Sequence, residues 1–200
     1  EFKENLRDIR YFGGVPSYFT RKHFFEHWLP ANEKAGWVKD ITGSVGGEKL
    51  AKISAVIDPV DWMMAKEELT AQEKEEAARD LAQLGLGEPA LVEMDYVPIS
   101  AMLAFDGEQP SIEKSIAERL PEISIIAFLR TEKAAREIGV IVAHLGFVIR
   151  PRKPDGSFGE PVLRHSTQRA GIFRDESLAS YLKSQKDYRD GVKIVKIEDR

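Results

Sequence analysis

Four histidines are the only imidazoles in the 200-residue chain, and two of them sit in strand-like surroundings. His144 lies inside Ile141-Val142-Ala143-His144-Leu145-Gly146-Phe147-Val148-Ile149, and His165 inside Leu163-Arg164-His165-Ser166-Thr167. A loop over residues 150–161 joins the two stretches, and its Asp155-Gly156 is a turn pair. An antiparallel hairpin is expected, with the two rings as cross-strand neighbours. Two imidazoles so placed form a base-plus-orienter unit: one ring takes a nucleophile's proton and the other holds it in the right tautomer. The bland alternative is a pair of hydrogen-bonded core histidines. Gly146, two residues beyond His144 on the same face, favours a site, because a glycine there would clear space beside the ring for a substrate.

The nucleophile is what these residues lack. There is no cysteine, which excludes disulfides, thiolate metal sites and a cysteine nucleophile within the 200 residues. No G-x-S-x-G elbow is present, and Ser166 carries no mark beyond that of a strand hydroxyl. His23-Phe24-Phe25-Glu26-His27 matches H-x-x-E-H, the inverted zinc-peptidase string, with both rings expected on one side of a helix and Glu26 placed to activate water. Residues 144–174 carry Arg150, Arg152, Lys153, Arg164, Arg169 and Arg174 against Asp155 and Glu160. This local basic surface is either solvated loop charge or a seat for a carboxylate-bearing peptide. Trp28, Trp37 and Trp62 read as core before they read as a sugar platform.

The elements that must hold these residues follow from periodicity and turn chemistry. Phe2, Leu6 and Ile9 fit a helix ending near Tyr11, before Gly13-Gly14. A second helix is expected over residues 20–28, capped by Thr20 and ended by Pro30 and Asn32. Short extended pieces at Trp37-Val38 and residues 52–57 flank a turn over residues 43–47. Asp58-Pro59 opens a helix through Met64. Thr70 with Glu73 is a capping box for the next, which Gly85 stops. Residues 66–80 hold six acids against three bases, a solvated helix face. Residues 91–103 read as extended, and Ser111 as the cap of a short helix ended by Pro121. Strands are expected over residues 123–129, 140–149 (apolar on both faces, hence central), 162–167 and 192–197, with a helix over residues 176–185.

Composition bounds the rest. Twenty-nine basic and 33 acidic side chains leave a net charge of −4, and 42% of residues are apolar. That is globular composition, sized for one core. No run approaches the roughly 18 apolar residues of a membrane span, and the slight acidity argues against nucleic acid as a partner. Glu1-Phe2-Lys3-Glu4-Asn5 has no apolar signal region.

Taken together, Ile9-Arg10-Tyr11 with Gly13-Gly14, Arg21-Lys22-His23-Phe24-Phe25-Glu26-His27-Trp28, Asp40-Ile41-Thr42 and the two histidine strands resemble the DUF1460 family of bacterial N-acetylmuramoyl-L-alanine amidase-like proteins. The histidine strands also resemble those of the wider NlpC/P60 group. The resemblance spans the chain to about Tyr181. It implies an α+β, papain-like (NlpC/P60-type) antiparallel sheet packed against helices, with a helical insertion, in a single domain over residues 1–200. It implies cysteine-dependent cleavage of peptidoglycan amide bonds outside the cytoplasm, in the periplasm or after secretion, without a cofactor. His144 matches the base and His165 the residue that orients it. Arg21, His23 and Trp28, with Ser166 on the hairpin, would contact the substrate. The family's cysteine sits in a D-C-x-T-F-V-E type segment before the I-R-Y-x-x-G motif, which here begins at Ile9. Its expected place is therefore upstream of Glu1, and the chain as given is expected to be inactive. The H-x-x-E-H string falls inside a family motif that needs no metal.

Overall fold

The computed structural model describes residues 2–17, 20–167 and 171–199. Its helices are α1 (Phe2–Arg10), α2 (Phe25–Lys34), α3 (Thr42–Gly46), α4 (Pro59–Met64), α5 (Ala71–Gln83), α6 (Ile99–Met102), α7 (Lys114–Arg119), α8 (Glu132–Ile138) and α9 (Leu178–Gln185). Its strands are β1 (Val38–Asp40), β2 (Ala51–Ile57), β3 (Ala90–Pro98), β4 (Leu103–Asp106), β5 (Gln109–Ile112), β6 (Ile123–Arg130), β7 (Val142–Ile149), β8 (Val162–Thr167), β9 (Ile172–Ser177) and β10 (Arg189–Ile197). One sheet runs β2-β3-β10-β6-β7-β8-β9, β1 adds to β10, and β4 and β5 form a separate hairpin. The pairings are antiparallel, and the class is the expected α+β.

The sheet is buried on both sides at its centre, which is why β6 reads as an unbroken apolar run. Alternation sends Ile126, Phe128, Val192 and Ile194 to one face, where α6, α7 and α9 supply Met102, Ile116 and Leu182. The opposite face takes Ala127, Leu129 and Val195 against Phe25 and Leu29 of α2 and Ala135 of α8. The helical insertion is present as α4 and α5, packed on each other through Met63, Ala77 and Leu81. The capping box of α5 forms as expected: Glu73 N–H donates to Thr70 Oγ1 (3.3 Å), and Thr70 N–H donates to Glu73 Oε2 (2.8 Å).

Several elements depart from the sequence reading. The second helix starts at Phe25, because Thr20 bonds back to Ser17 rather than capping, and Arg21 bridges to Tyr11 as a short β-contact. The helix also runs through Pro30 and Asn32 to Lys34. The helix continues although Pro30 gives up its own donor and crowds the carbonyl four residues back, and Asn32 turns its amide to the Ile9 and Trp28 carbonyls, tying α1 to α2. The turn over residues 43–47 is the short helix α3. The extended reading of residues 91–103 is interrupted by α6, and Ser111 lies in β5, leaving Glu113 to cap α7 by accepting from Ile116 N–H. Strand β7 is interior in the sheet, yet Leu145 and Phe147 are more than two-fifths exposed, so one of its faces is open.

Candidate active site

The hairpin of β7 and β8 places the two imidazoles in contact. His144 Nε2 lies 2.7 Å from His165 Nδ1, and His165 Nε2 lies 2.8 Å from Glu176 Oε1. Phe147 faces Arg164, so Gly146 falls opposite His165 and His144 stands diagonally across from it. Gly146 therefore does something other than clear room for substrate. A Cβ there would meet Leu163 Cδ1 at 2.7 Å, Arg164 O at 3.1 Å and His165 Cβ at 3.2 Å. The glycine admits the β8 backbone and so brings the rings together.

The hydrogen-bond order sets the protons. A carboxylate only accepts, so His165 donates its Nε2–H to Glu176. His165 Nδ1 then accepts from His144 Nε2–H, which leaves the lone pair of His144 on Nδ1. His165 is buried, whereas His144 is partly open to a cleft of about 1150 Å³. Burial lowers the pKa of His144, and the charges of His165 and Arg189 push it the same way. Its ring is thus neutral at neutral pH, with the Nδ1 lone pair available to accept a proton. Phe128 stacks beneath His144 with centroids 5.8 Å apart, and Tyr181 of α9 meets His165 edge-on at 5.0 Å. Burial raises the pKa of Tyr181, with Arg189 opposing and Glu176 adding to it.

The cleft takes its other wall from the N-terminal segment. Arg21, His23 and Trp28 line it, as does Ser166, so the six site residues read from the sequence share one cavity. Trp28 stacks on Phe25 at 5.7 Å, and the His23 ring leans on Trp62 of the insertion at 5.4 Å. The acidic lobe is therefore coupled to the cleft through Trp62. Alternation puts Ser166 on the sheet face opposite His165. Sequence reasoning missed Glu176, Tyr181 and Arg189, which also line the cavity. Glu176 lies in β9, and residues 172–177 show no clean alternation.

Two sharper alternatives, the zinc string and the carboxylate seat on residues 144–174, find no support here. His23 precedes α2, so the H-x-x-E-H rings do not share a helix side. Glu26 is buried and accepts from the backbone N–H groups of Ile141 (3.0 Å) and Val142 (3.4 Å), pinning α2 to the start of β7. His27 packs edge-on against Phe24 at 5.5 Å. The string is a packing device, and among the described residues no cluster of three candidate ligands could hold a metal. The basic surface of residues 144–174 is partly neutralised by neighbours: Arg152 pairs with Glu122 and Arg164 with Asp175, each at 2.7 Å, while Arg150 stacks on Phe158. Arg174 reaches the cleft but pairs with Glu176 at 3.2 Å, and Arg169 lies outside the described residues.

Comparison with known proteins agrees with this architecture. A protein from Legionella pneumophila assigned to DUF1460 superposes with a TM-score of 0.74 at 24% identity, covering 99% of this chain and 69% of that one. An N-acetylmuramoyl-L-alanine amidase from Bacteroides uniformis superposes with a TM-score of 0.62 at 19% identity, covering 98% and 73%. At these identities the likeness is one of fold. No curated protein sequence matches the chain. No helix among the described residues is long and apolar enough to cross a membrane. The model of the AmiA-like family, described as N-acetylmuramoyl-L-alanine amidase-like, matches residues 1–192, and the chain belongs to that family.

Proposed function

We propose that this chain forms the base and substrate groove of a peptidoglycan amide hydrolase, an N-acetylmuramoyl-L-alanine amidase or stem-peptide endopeptidase of NlpC/P60 type. The observation that carries the reading is the 2.7 Å contact between His144 and His165, opening on a cleft in an amidase-like family member. The nucleophile is a cysteine supplied from upstream of Glu1. Its thiol gives its proton to His144 Nδ1, and the thiolate attacks the amide carbonyl carbon. Collapse of the tetrahedral adduct breaks the C–N bond, His144 returns the proton to the leaving amine, and a thioester remains. Water, deprotonated by His144, then attacks the thioester, releasing the carboxylic acid and restoring the thiol. His165 holds the tautomer throughout, and Arg21, His23, Trp28 and Ser166 contact the glycopeptide. The substrate is peptidoglycan or a muropeptide, met in the periplasm or outside the cell.

The experiment joins the chain to the residues encoded before Glu1 and follows muropeptide digestion by mass spectrometry. A D-C-x-T segment there, and cleavage that disappears in His144→Ala, is the expected result. The lack of cysteine in these 200 residues favours one second reading, a cell-wall peptide binder with the same groove and no turnover. Binding without cleavage by the longer protein would establish it.

A further inference from the structure

Arg189 begins β10 at the α9 side of the cleft, and its partner across the sheet is Arg130, the last residue of β6. Directly opposed residues on antiparallel strands hold their Cβ atoms about 5 Å apart, where like charges repel. No carboxylate among the described residues forms an ion pair with either guanidinium. Three acids of the surrounding elements are otherwise engaged. Asp190 accepts the Glu132 backbone N–H at 2.8 Å, Glu132 holds Arg136 at 2.5 Å, and Glu176 is shared by His165 and Arg174. Arg189 donates Nη1 to the Tyr188 carbonyl at 2.9 Å, while the Nε atoms of both arginines are buried without an acceptor. Burial and the neighbouring Arg189 charge weaken proton binding at Arg130, as expected of two cations confined together.

A confined cation pair without a counter-ion is destabilising for the free protein, and its Arg189 member lines the cleft. The N–H donors that Arg189 has left over form charge-assisted hydrogen bonds to a carboxylate, stronger than those to a neutral amide. We propose that Arg189, backed by Arg130, is the subsite that receives a carboxylate of the bound stem peptide, so that the cleft selects peptides that keep that carboxylate free over those in which it is amidated. The inference rests on the function proposed above and adds a specificity determinant to it. Arg189 would be a binding residue: the proton path through His144, His165 and Glu176 does not include it.

The test uses the 200-residue protein and two synthetic probes, measured by calorimetry at fixed salt. Both are N-acetylmuramoyl-L-alanyl-γ-D-glutamyl-lysine amides; one keeps the glutamyl α-carboxylate as its sole carboxylate, and the other carries a carboxamide there. The carboxylate probe is expected to bind about tenfold to a hundredfold more tightly, the range of charge-assisted over neutral hydrogen bonds. In Arg189→Gln the difference should fall below about threefold, and Arg189→Lys should recover part of it. Equal binding of both probes by the unmutated protein would overturn the subsite while leaving the proposed function standing. Binding of neither probe would overturn both. Because the first comparison needs no variant, poor folding of Arg189→Gln does not blunt it.

Discussion

Gly146→Ala separates the two roles a glycine beside the His144–His165 pair can have. If it clears space for substrate, alanine should leave folding untouched and weaken ligand binding. The structure requires the reverse, because the added methyl points at β8. Contacts of 2.7 Å to Leu163 Cδ1, 3.1 Å to Arg164 O and 3.2 Å to His165 Cβ cannot all be relieved by one rotamer change. Overpacking of this kind costs about 1–3 kcal/mol. Alanine restricts the unfolded chain and returns about 0.4–1 kcal/mol, so a net loss of about 1–2 kcal/mol is expected from urea denaturation. The strands must also part by a few tenths of an ångström, which loosens the His144–His165 bond. The bridging imidazole proton, which a 2.7 Å contact should make visible by NMR in the unmutated protein, should then broaden or vanish. Gly43→Ala is the control: it lies in α3 with nothing within 4 Å of its new Cβ, and should stabilise by up to about 1 kcal/mol. Unchanged stability together with a persistent bridging proton in Gly146→Ala would refute the reasoning.

In the protein supplied with its nucleophile, His144→Ala should abolish cleavage, and His165→Ala should lower kcat about 10²–10⁴-fold, with both variants folded by circular dichroism. Because burial lowers the pKa of His144, the acidic limb of its kcat/KM profile should lie below the ordinary imidazole range, and a limb above that range would contradict the assignment. Glu176→Ala leaves the buried His165 Nε2–H without an acceptor and should destabilise by about 1–3 kcal/mol, read from the denaturation midpoint. Burial raises the pKa of Glu26, so the folded state holds its proton to higher pH than the unfolded chain does. Its ionisation then subtracts stability progressively as pH rises from the ordinary glutamate range through the raised value. Glu26→Gln should remove that slope, and identical pH-dependence in both proteins would exclude the effect.

What the sequence disclosed follows from how local each signal is. The hairpin was legible because β7 and β8 are adjacent in chain and sheet, with a turn pair between them, and the α5 capping box because it is complete within four residues. The start of α2 was not. Whether Thr20 caps depends on where its hydroxyl goes, and Ser17 claims it. Glu26 looked like a zinc-peptidase acid because its real partners lie on β7, 115 positions away. Glu176, Tyr181 and Arg189 escaped notice for a related reason. Each matters through its place beside the imidazole pair, and residues 172–177 give no periodicity from which β9 could be drawn. The cluster of basic residues at 144–174 misled because charge counted along the chain ignores the acids that β9 and Glu122 bring back to it.

The grip of Glu26 on the first residues of β7 has a consequence for how the protein comes apart. One side of the cavity belongs to the last third of the chain, and the other to its first thirty residues. Joining them means closing a long loop, whereas the imidazole pair needs only a hairpin. A partly opened form that releases α1 and α2 would retain the imidazole pair and lose the wall that faces it across the cleft. Ligand capture, not ring geometry, is then the property that reports when this molecule is whole.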